Sequence, residues 1–371
     1  MKAKLHEKII ICLFCGFLAV MSVLYWALPQ QDFSETEKRQ LAEFPKFSWE
    51  SLSTGEFGGL IETYMADHMP GRSFFVGVGA YYDLLSGRQV SKDIYLAQGN
   101  RLVEAPANWN QAQIDKNMKY INKFAEKLGV PVDLMVIPSA GFILKDRILG
   151  LHNAYADDEM IAAIYAQAAG DIRCMDILSI YTAEADPASL YYRTDHHWTS
   201  YGAYKAYAAY MAHAGKEAAA ADHFRVERHD GFRGSTYSRS ALWLTPAEPL
   251  EVWRGSDLKV TIGENTYDSA FFPERLQEAD MYTVYLDGNQ AVVRIRNEAN
   301  AGKGKLLVIR DSYANCIGPM LAESYEEVIM VDLRYYKLSI SELCKNEGVS
   351  NVLVMYSLSN FMTDANFPFL R

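Results

Sequence analysis

Two short stretches of this chain hold more reactive side chains than folding requires. TDHHWT, at 194–199, sets Asp195, His196 and His197 in a row before Trp198, in a chain with only eight histidines. VIRDSYAN, at 308–315, places Ser312 just behind an apolar run. A carboxylate two residues before a histidine can hold that imidazole's Nδ1–H while Nε2 faces a hydroxyl, the arrangement that activates a serine. In an extended segment adjacent side chains point to opposite sides, so only one of the two histidines should face such a serine. Two other readings use the same letters. Asp195, His196 and His197 could bind a metal, although the further aspartate pairs of the DHH manganese phosphoesterases and a third ligand cluster are missing. Alternatively the loop is a polar helix entry capped by Thr199 or Ser200. It would then belong to a polysaccharide-binding module whose aromatics, 13% of residues, stack on sugar rings.

Chemistry at either loop needs elements that hold it, and an open parallel sheet gathers functional groups beyond the carboxyl ends of its strands. QAQIDKNMKYINKFAEKLG predicts an amphipathic helix ending at Gly129, and VDLMVIP a short buried strand. DDEMIAAIYAQAAG predicts a second helix and IRCMDI a strand. SYGAYKAYAAYMAHAG predicts a third helix with Tyr204, Tyr207, Ala208 and Met211 on one face. KLLVI, EEVIMVD and NVLVMYS read as strands separated by helices, one of them opened by a capping box from Ser339 to Glu342. Pro319 suits the first turn of the helix after Ser312, which would leave 312–318 as an exposed turn with N–H groups for an oxyanion. This βαβαβ ending implies right-handed crossovers and a parallel sheet flanked by helices. Between about 222 and 300 the texture changes to DLKVTI, TYDSAFF, MYTVYL and AVVRIR, with turns such as Asp287-Gly288-Asn289, which predicts a β-rich insertion.

The N-terminus sets the compartment. Ile9 to Leu28 is an uncharged run of about 20 residues, enough for about 30 Å of helix, the thickness of a bilayer core. Lys2, Lys4 and Lys8 against Glu7 mark the leader as cytoplasmic, and Tyr25 and Trp26 suit the far interface. ALPQQ is a poor cleavage site, so 1–30 is expected to be an uncleaved, single-pass signal anchor with the rest of the chain extracytoplasmic. Residues 31–92 read as a stalk and helical lead-in, with a capping box from Ser34 to Glu37 and a helix break at Pro70-Gly71. The α/β domain then runs over 93–371 and begins with a hairpin from about Tyr95 to Val103. A net charge of -10 argues against a nucleic-acid partner. Cys12 and Cys15 fall in the anchor, while Cys174, Cys316 and Cys344 are too scattered for a disulfide framework or a zinc knuckle and read as buried thiols.

TDHHWT followed by YGAY, and later VIRDSYAN, resembles the DHHW family of exported bacterial proteins. That family is similar to the SGNH-hydrolase-like O-acetyltransferases of the alginate acetylation J and X type. FSETEKRQLAEFP, ADHMPGR and IYLAQGNRLVEAP extend the resemblance over nearly the whole exported chain. It implies an SGNH-hydrolase-like α/β fold and an O-acetyltransferase that moves acetyl to a cell-surface or secreted polysaccharide through an acyl-serine. Carried onto this sequence, it makes Ser312 the nucleophile, His197 the general base and Asp195 its orienter. His196 falls at the variable position, and Trp198 would help wall the site. The implied acetyl source is a membrane-bound O-acyltransferase, and neither cofactor nor metal is called for. Arg310 stands where SGNH serine blocks often carry glycine, so the oxyanion donors are expected to be the Ser312 N–H and the side chain of Asn360. An acetyl esterase with the same triad, or a non-catalytic glycan-binding or envelope-assembly protein, is the alternative.

Overall fold

Strands apolar on both faces, such as VDLMVI and KLLVI, are satisfied only in a sheet covered on both sides. The computed structural model describes residues 5–88, 90–91 and 93–370, so Lys2 and Lys4 of the basic leader and the lead-in boundary at Lys92 lie outside the described residues. Its main sheet has eight strands. Five of them run parallel, in the spatial order Glu327–Val331, Lys305–Arg310, Asn351–Ser357, Val132–Ile137 and Ile172–Met175. Alternate residues feed two cores. Met135, Ile137, Leu306, Val308, Leu353 and Met355 enter one, and Leu134, Val136, Leu307, Ile309, Val352 and Val354 the other.

The helices form where capping and periodicity agree. Gln111–Leu128 opens on the Asn110 side chain, which accepts the Gln113 N–H at 3.1 Å, and closes on Gly129 at φ 67°. Its buried stripe of Ile114, Met118, Ile121, Phe124 and Ala125 covers the second core. Ser200–His213 covers the first core with Ala203, Ala206, Tyr207, Tyr210 and Met211. The buried stripe is therefore offset from the one the sequence suggested: Ala208 faces away and Tyr204 is only half-buried, because the tyrosines at 207 and 210 take the inward positions.

Strand order decides where a site can form. From Lys305–Arg310 the chain passes to Glu327–Val331 on one side, then crosses to Asn351–Ser357 on the other. The strand order thus reverses at Lys305–Arg310, and open α/β sheets bind ligands beyond the carboxyl ends of the strands at such a reversal. Ser312 lies two residues beyond the carboxyl end of Lys305–Arg310.

The β-rich insertion is no separate domain. Lys259–Ile262, Asn265–Tyr267 and Val292–Arg296 lengthen the main sheet antiparallel, Val292–Arg296 pairing with Glu327–Val331. Arg225–Phe232 and Glu248–Arg254 form a two-stranded ribbon. MYTVYL, expected as a strand, is a 3-10 turn over Met281–Val284, closed by the Thr283 N–H to the Asp280 carbonyl and the Tyr285 N–H to the Tyr282 carbonyl, with Met281, Tyr282 and Val284 all buried. Two further expectations change. Pro319 sits inside the helix Ala314–Leu321, whose residues are all buried, so 312–318 is not an exposed turn. The Ser34 hydroxyl accepts the Glu37 N–H at 3.2 Å as expected, but within a tight hairpin between Phe33–Ser34 and Arg39–Gln40, not at a helix start. The hairpin Ile94–Ala97 to Arg101–Glu104 pairs Tyr95 with Val103 as the Gly-Asn turn suggested.

The contacts divide the chain into two compact units: residues up to Arg88 with Ala241–Trp243, and the remainder. In the first, Leu5–Ala27 is a helix long and apolar enough to cross a membrane, with none of its residues buried. Glu56–Asp67 and Arg72–Leu85 follow, separated at Gly71 with φ 68°. Trp243 stacks on Phe74 at 5.7 Å, in a space that only a residue without a Cβ at Gly77 leaves open.

Candidate active site

Asp195, His197 and Ser312 form one hydrogen-bonded line. The Asp195 Oδ1 lies 2.6 Å from His197 Nδ1, and His197 Nε2 lies 2.9 Å from Ser312 Oγ. A carboxylate only accepts, so Nδ1 carries the proton and Nε2 is left to accept from the serine hydroxyl. Asp195 and His197 are buried and Ser312 is half-buried at the opening. Burial alone would raise the Asp195 pKa. The two adjacent imidazoles, the His197 hydrogen bond and the Ser235 N–H overcome it and hold the carboxyl well below its ordinary value.

The tandem histidines do not alternate. The loop folds back on itself, with the Tyr192 N–H donating to the His197 carbonyl at 3.2 Å and the Thr199 N–H to the Leu190 carbonyl at 2.9 Å. This curvature brings the two rings together, centroids 3.8 Å apart. His197 alone meets Ser312, while His196 Nδ1 bonds the Ser235 hydroxyl. A quarter of the His196 side chain meets solvent. Burial of the ring first, and then the neighbouring His197, nonetheless push its pKa down, so it is neutral near pH 7.

The serine loop is braced from several sides. Asp311 accepts the Ser357 N–H at 2.8 Å, the Ser357 hydroxyl at 2.7 Å, the Asn360 side-chain amide at 2.8 Å and the Tyr313 N–H at 3.0 Å. Asn360 is therefore tied to the residue beside Ser312, and among the described residues its second amide hydrogen has no acceptor. Among the described residues the Ser312 N–H, two positions before the helix Ala314–Leu321, donates to no protein acceptor. Trp198 is fully buried and donates its indole N–H to the Tyr313 carbonyl at 3.1 Å, so it supports the loop from beneath and lines no opening. Arg310 also turns inward, 0% exposed, to Asn289 Oδ1 at 3.2 Å, the Gln290 carbonyl at 3.3 Å and Asp332 at 3.7 Å.

The donor atoms of Asp195, His196 and His197 lie within 4.8 Å of one another, close enough for an ion. They are nonetheless spoken for: both nitrogens of His197 and the Nδ1 of His196 have hydrogen-bond partners in the protein. A metal would have to break the line that joins Asp195 to Ser312. Cys174, Cys316 and Cys344 are free thiols, the last two buried and both pushed up to about 12.

Several site residues escaped the sequence. Ser235 donates its N–H to Asp195 Oδ2 at 2.7 Å. Gly234 leaves space that a Cβ would take from the Asp195 carboxylate. Glu248 accepts the N–H and hydroxyl of Thr194, each at 2.7 Å, and the Arg193 N–H at 2.9 Å. Tyr282 stacks on the His197 ring. All four lie in the insertion, and nothing in their local pattern marks them. Asp311 adjoined the serine and was legible only as its neighbour.

No curated protein sequence matches this chain. Among solved structures, a DHHW family protein from Eubacterium siraeum superposes with a TM-score of 0.66 at 23% identity, over 76% of this chain and 95% of that one. Bacillus cereus PatB1 with a sulfonyl adduct gives a TM-score of 0.63 at 20% identity, over 75% and 98%. The O-acetyltransferase domain of Pseudomonas putida AlgJ gives 0.46 at 14% identity, over 73% and 93%. At these identities the first two likenesses concern the fold. The sequence profile described as DHHW protein matches residues 107–331, more than half of the chain and both reactive loops, and the chain belongs to the DHHW family.

Proposed function

We propose that this protein is an extracytoplasmic O-acetyltransferase that modifies a polysaccharide through an acetyl-serine at Ser312. The observation that carries the reading is the continuous hydrogen-bonded line from Asp195 through His197 to Ser312. His197 Nε2 takes the Ser312 proton as Oγ bonds to an acetyl carbonyl carbon, whose π electrons move onto oxygen. Asp195 stabilises the imidazolium, and the Ser312 N–H and the second amide hydrogen of Asn360 hold the oxyanion. Collapse expels the donor's leaving group, which takes the proton from His197. A glycan hydroxyl then attacks the acetyl-serine, giving its proton to His197, which returns it to Ser312 Oγ. The helix Leu5–Ala27 acts as an uncleaved anchor, keeping the domain beside a membrane-bound O-acyltransferase that supplies acetyl groups.

PatB1, which shares the fold, has been captured with a sulfonyl adduct, and a sulfonyl fluoride is a direct probe of an activated hydroxyl. Mass spectrometry should find the label on Ser312 in the wild type and not in His197→Ala. An activated acetyl ester should be cleaved, with Ser312→Ala and His197→Ala slower by about 10³-fold or more, and EDTA should leave the rate unchanged. Acetyl recovered on an added glucan oligomer supports transfer; release as acetate alone makes the protein an esterase. Ester turnover equal in wild type and Ser312→Ala would sink the acyl-serine reading and leave a glycan-binding protein.

A further inference from the structure

The bonds to Asp195 and Ser312 hold the His197 imidazole at its two nitrogens. Turning the ring about Cβ–Cγ would break both, and what covers its faces limits that motion further. One face is covered by His196, at 3.8 Å between centroids. The other is covered by Tyr282, at 4.0 Å with the planes only 7° apart. Tyr313 closes the edge at 5.0 Å. Tyr282 is 85 residues from His197 in the chain and comes from the insertion, on the 3-10 turn Met281–Val284.

The orientation of this contact has a consequence beyond core packing. Aromatic neighbours are commonly edge-to-face or offset, as with Tyr282 and Tyr285 at 60°. A near-parallel stack instead presents the electron-rich face of the phenol to a ring that becomes cationic when it takes a proton. Among the described residues the Tyr282 hydroxyl has no hydrogen-bond partner, so hydrogen bonding does not explain the residue. Its turn is held by neighbours: Tyr285 Oη donates to the Glu251 carbonyl at 2.7 Å and lies 2.9 Å from Ser200 Oγ.

We infer that Tyr282 is a positioning residue for the general base: it clamps the His197 ring in the plane that joins Asp195 to Ser312, and its face stabilises the imidazolium formed during acyl transfer. The insertion thereby completes the site. The role in turnover rests on the acyl-transfer reading above; the clamp itself does not.

The test uses the full chain in detergent, with labelled histidine and the variants Tyr282→Phe and Tyr282→Leu. The ring protons of His197, assigned by their loss in His197→Gln, should be shifted upfield in the wild type and in Tyr282→Phe by the stacked ring, and return toward the free-imidazole position in Tyr282→Leu. With an activated acetyl ester, Tyr282→Leu should lose roughly tenfold in kcat with KM nearly unchanged, and Tyr282→Phe should restore most of it. Unshifted His197 protons in the wild type overturn the clamp even if the Leu variant fails to fold. A folded Leu variant that turns over like the wild type overturns the effect on turnover. Absence of ester turnover in the wild type would count against the acyl-transfer reading alone, and the proton shifts would still decide the clamp.

Discussion

His196 and His197 differ by one position and meet different electrostatics. His197 lies on the line between Asp195 and Ser312, whereas His196 is held neutral between the Ser235 hydroxyl and its twin. The pKa of His196 is lowered from 6.5, so as pH falls below about that value the unfolded chain takes up a proton that the folded one refuses. Stability should therefore decline with acidification in this window, and His196→Asn should flatten the slope in thermal melts between pH 6.5 and 5. Asp195 acts in the same direction, in a more acidic window. Its depressed pKa contributes stability that is present above its ordinary value of 3.8 and is lost as pH falls through the folded value. An Asp195→Asn variant should lose this acid-range dependence and, lacking the orienting carboxylate, most of its ester turnover. The letters at 195–197 and 312 were readable because their chemistry is unusual. That His196 would stack on His197 was not, since only the turn closed by Tyr192 and His197 brings the rings together.

At the scale of elements, the insertion is the part whose function was least visible. Read as a β-rich segment, it instead sends strands into the main sheet and side chains into the site. Gly234 illustrates the dependence. Any Cβ there would collide with Asp195, and the Gly234 N–H also donates to the Thr194 hydroxyl at 3.2 Å. Gly234→Ala should cost about 1–3 kcal/mol by overpacking and, on the proposed mechanism, depress ester turnover more than its change in melting temperature implies, because the displaced carboxylate is the one that holds His197. Equal turnover in wild type and Gly234→Ala would show that Asp195 moves without consequence. The helices were easier to read: Gln111–Leu128 has a full apolar stripe and both caps, and Ser339 accepts the Glu342 N–H at the start of Ile340–Glu347 as the spacing suggested. MYTVYL misled because its β-branched and aromatic residues favour a strand, whereas the segment closes as a 3-10 turn that buries the adjacent Met281 and Tyr282 together.

Across the whole molecule, the chain joins an apolar helix long enough to cross a membrane to a unit built on an α/β sheet. If Leu5–Ala27 is an uncleaved anchor, the full chain should resist carbonate extraction from membranes, a chain lacking residues 1–30 should be released, and the domain should be open to protease in spheroplasts. Cytoplasmic protection of the domain would refute the proposed orientation. The sequence alone determined the local quantities: a run long enough to span a bilayer, the capped amphipathic helices, the doubly apolar strands, and the two reactive loops with their family resemblance. These depend on residues within a turn or two of one another, where period, caps and charge act directly. Tertiary structure decided the rest. Strand order placed Ser312 where the sheet's connections reverse, the meeting of residues 115 positions apart aligned His197 with its hydroxyl, and the insertion delivered Ser235, Gly234, Glu248 and Tyr282. Each of these contacts depends on how distant segments cross, and no local periodicity encodes a crossing.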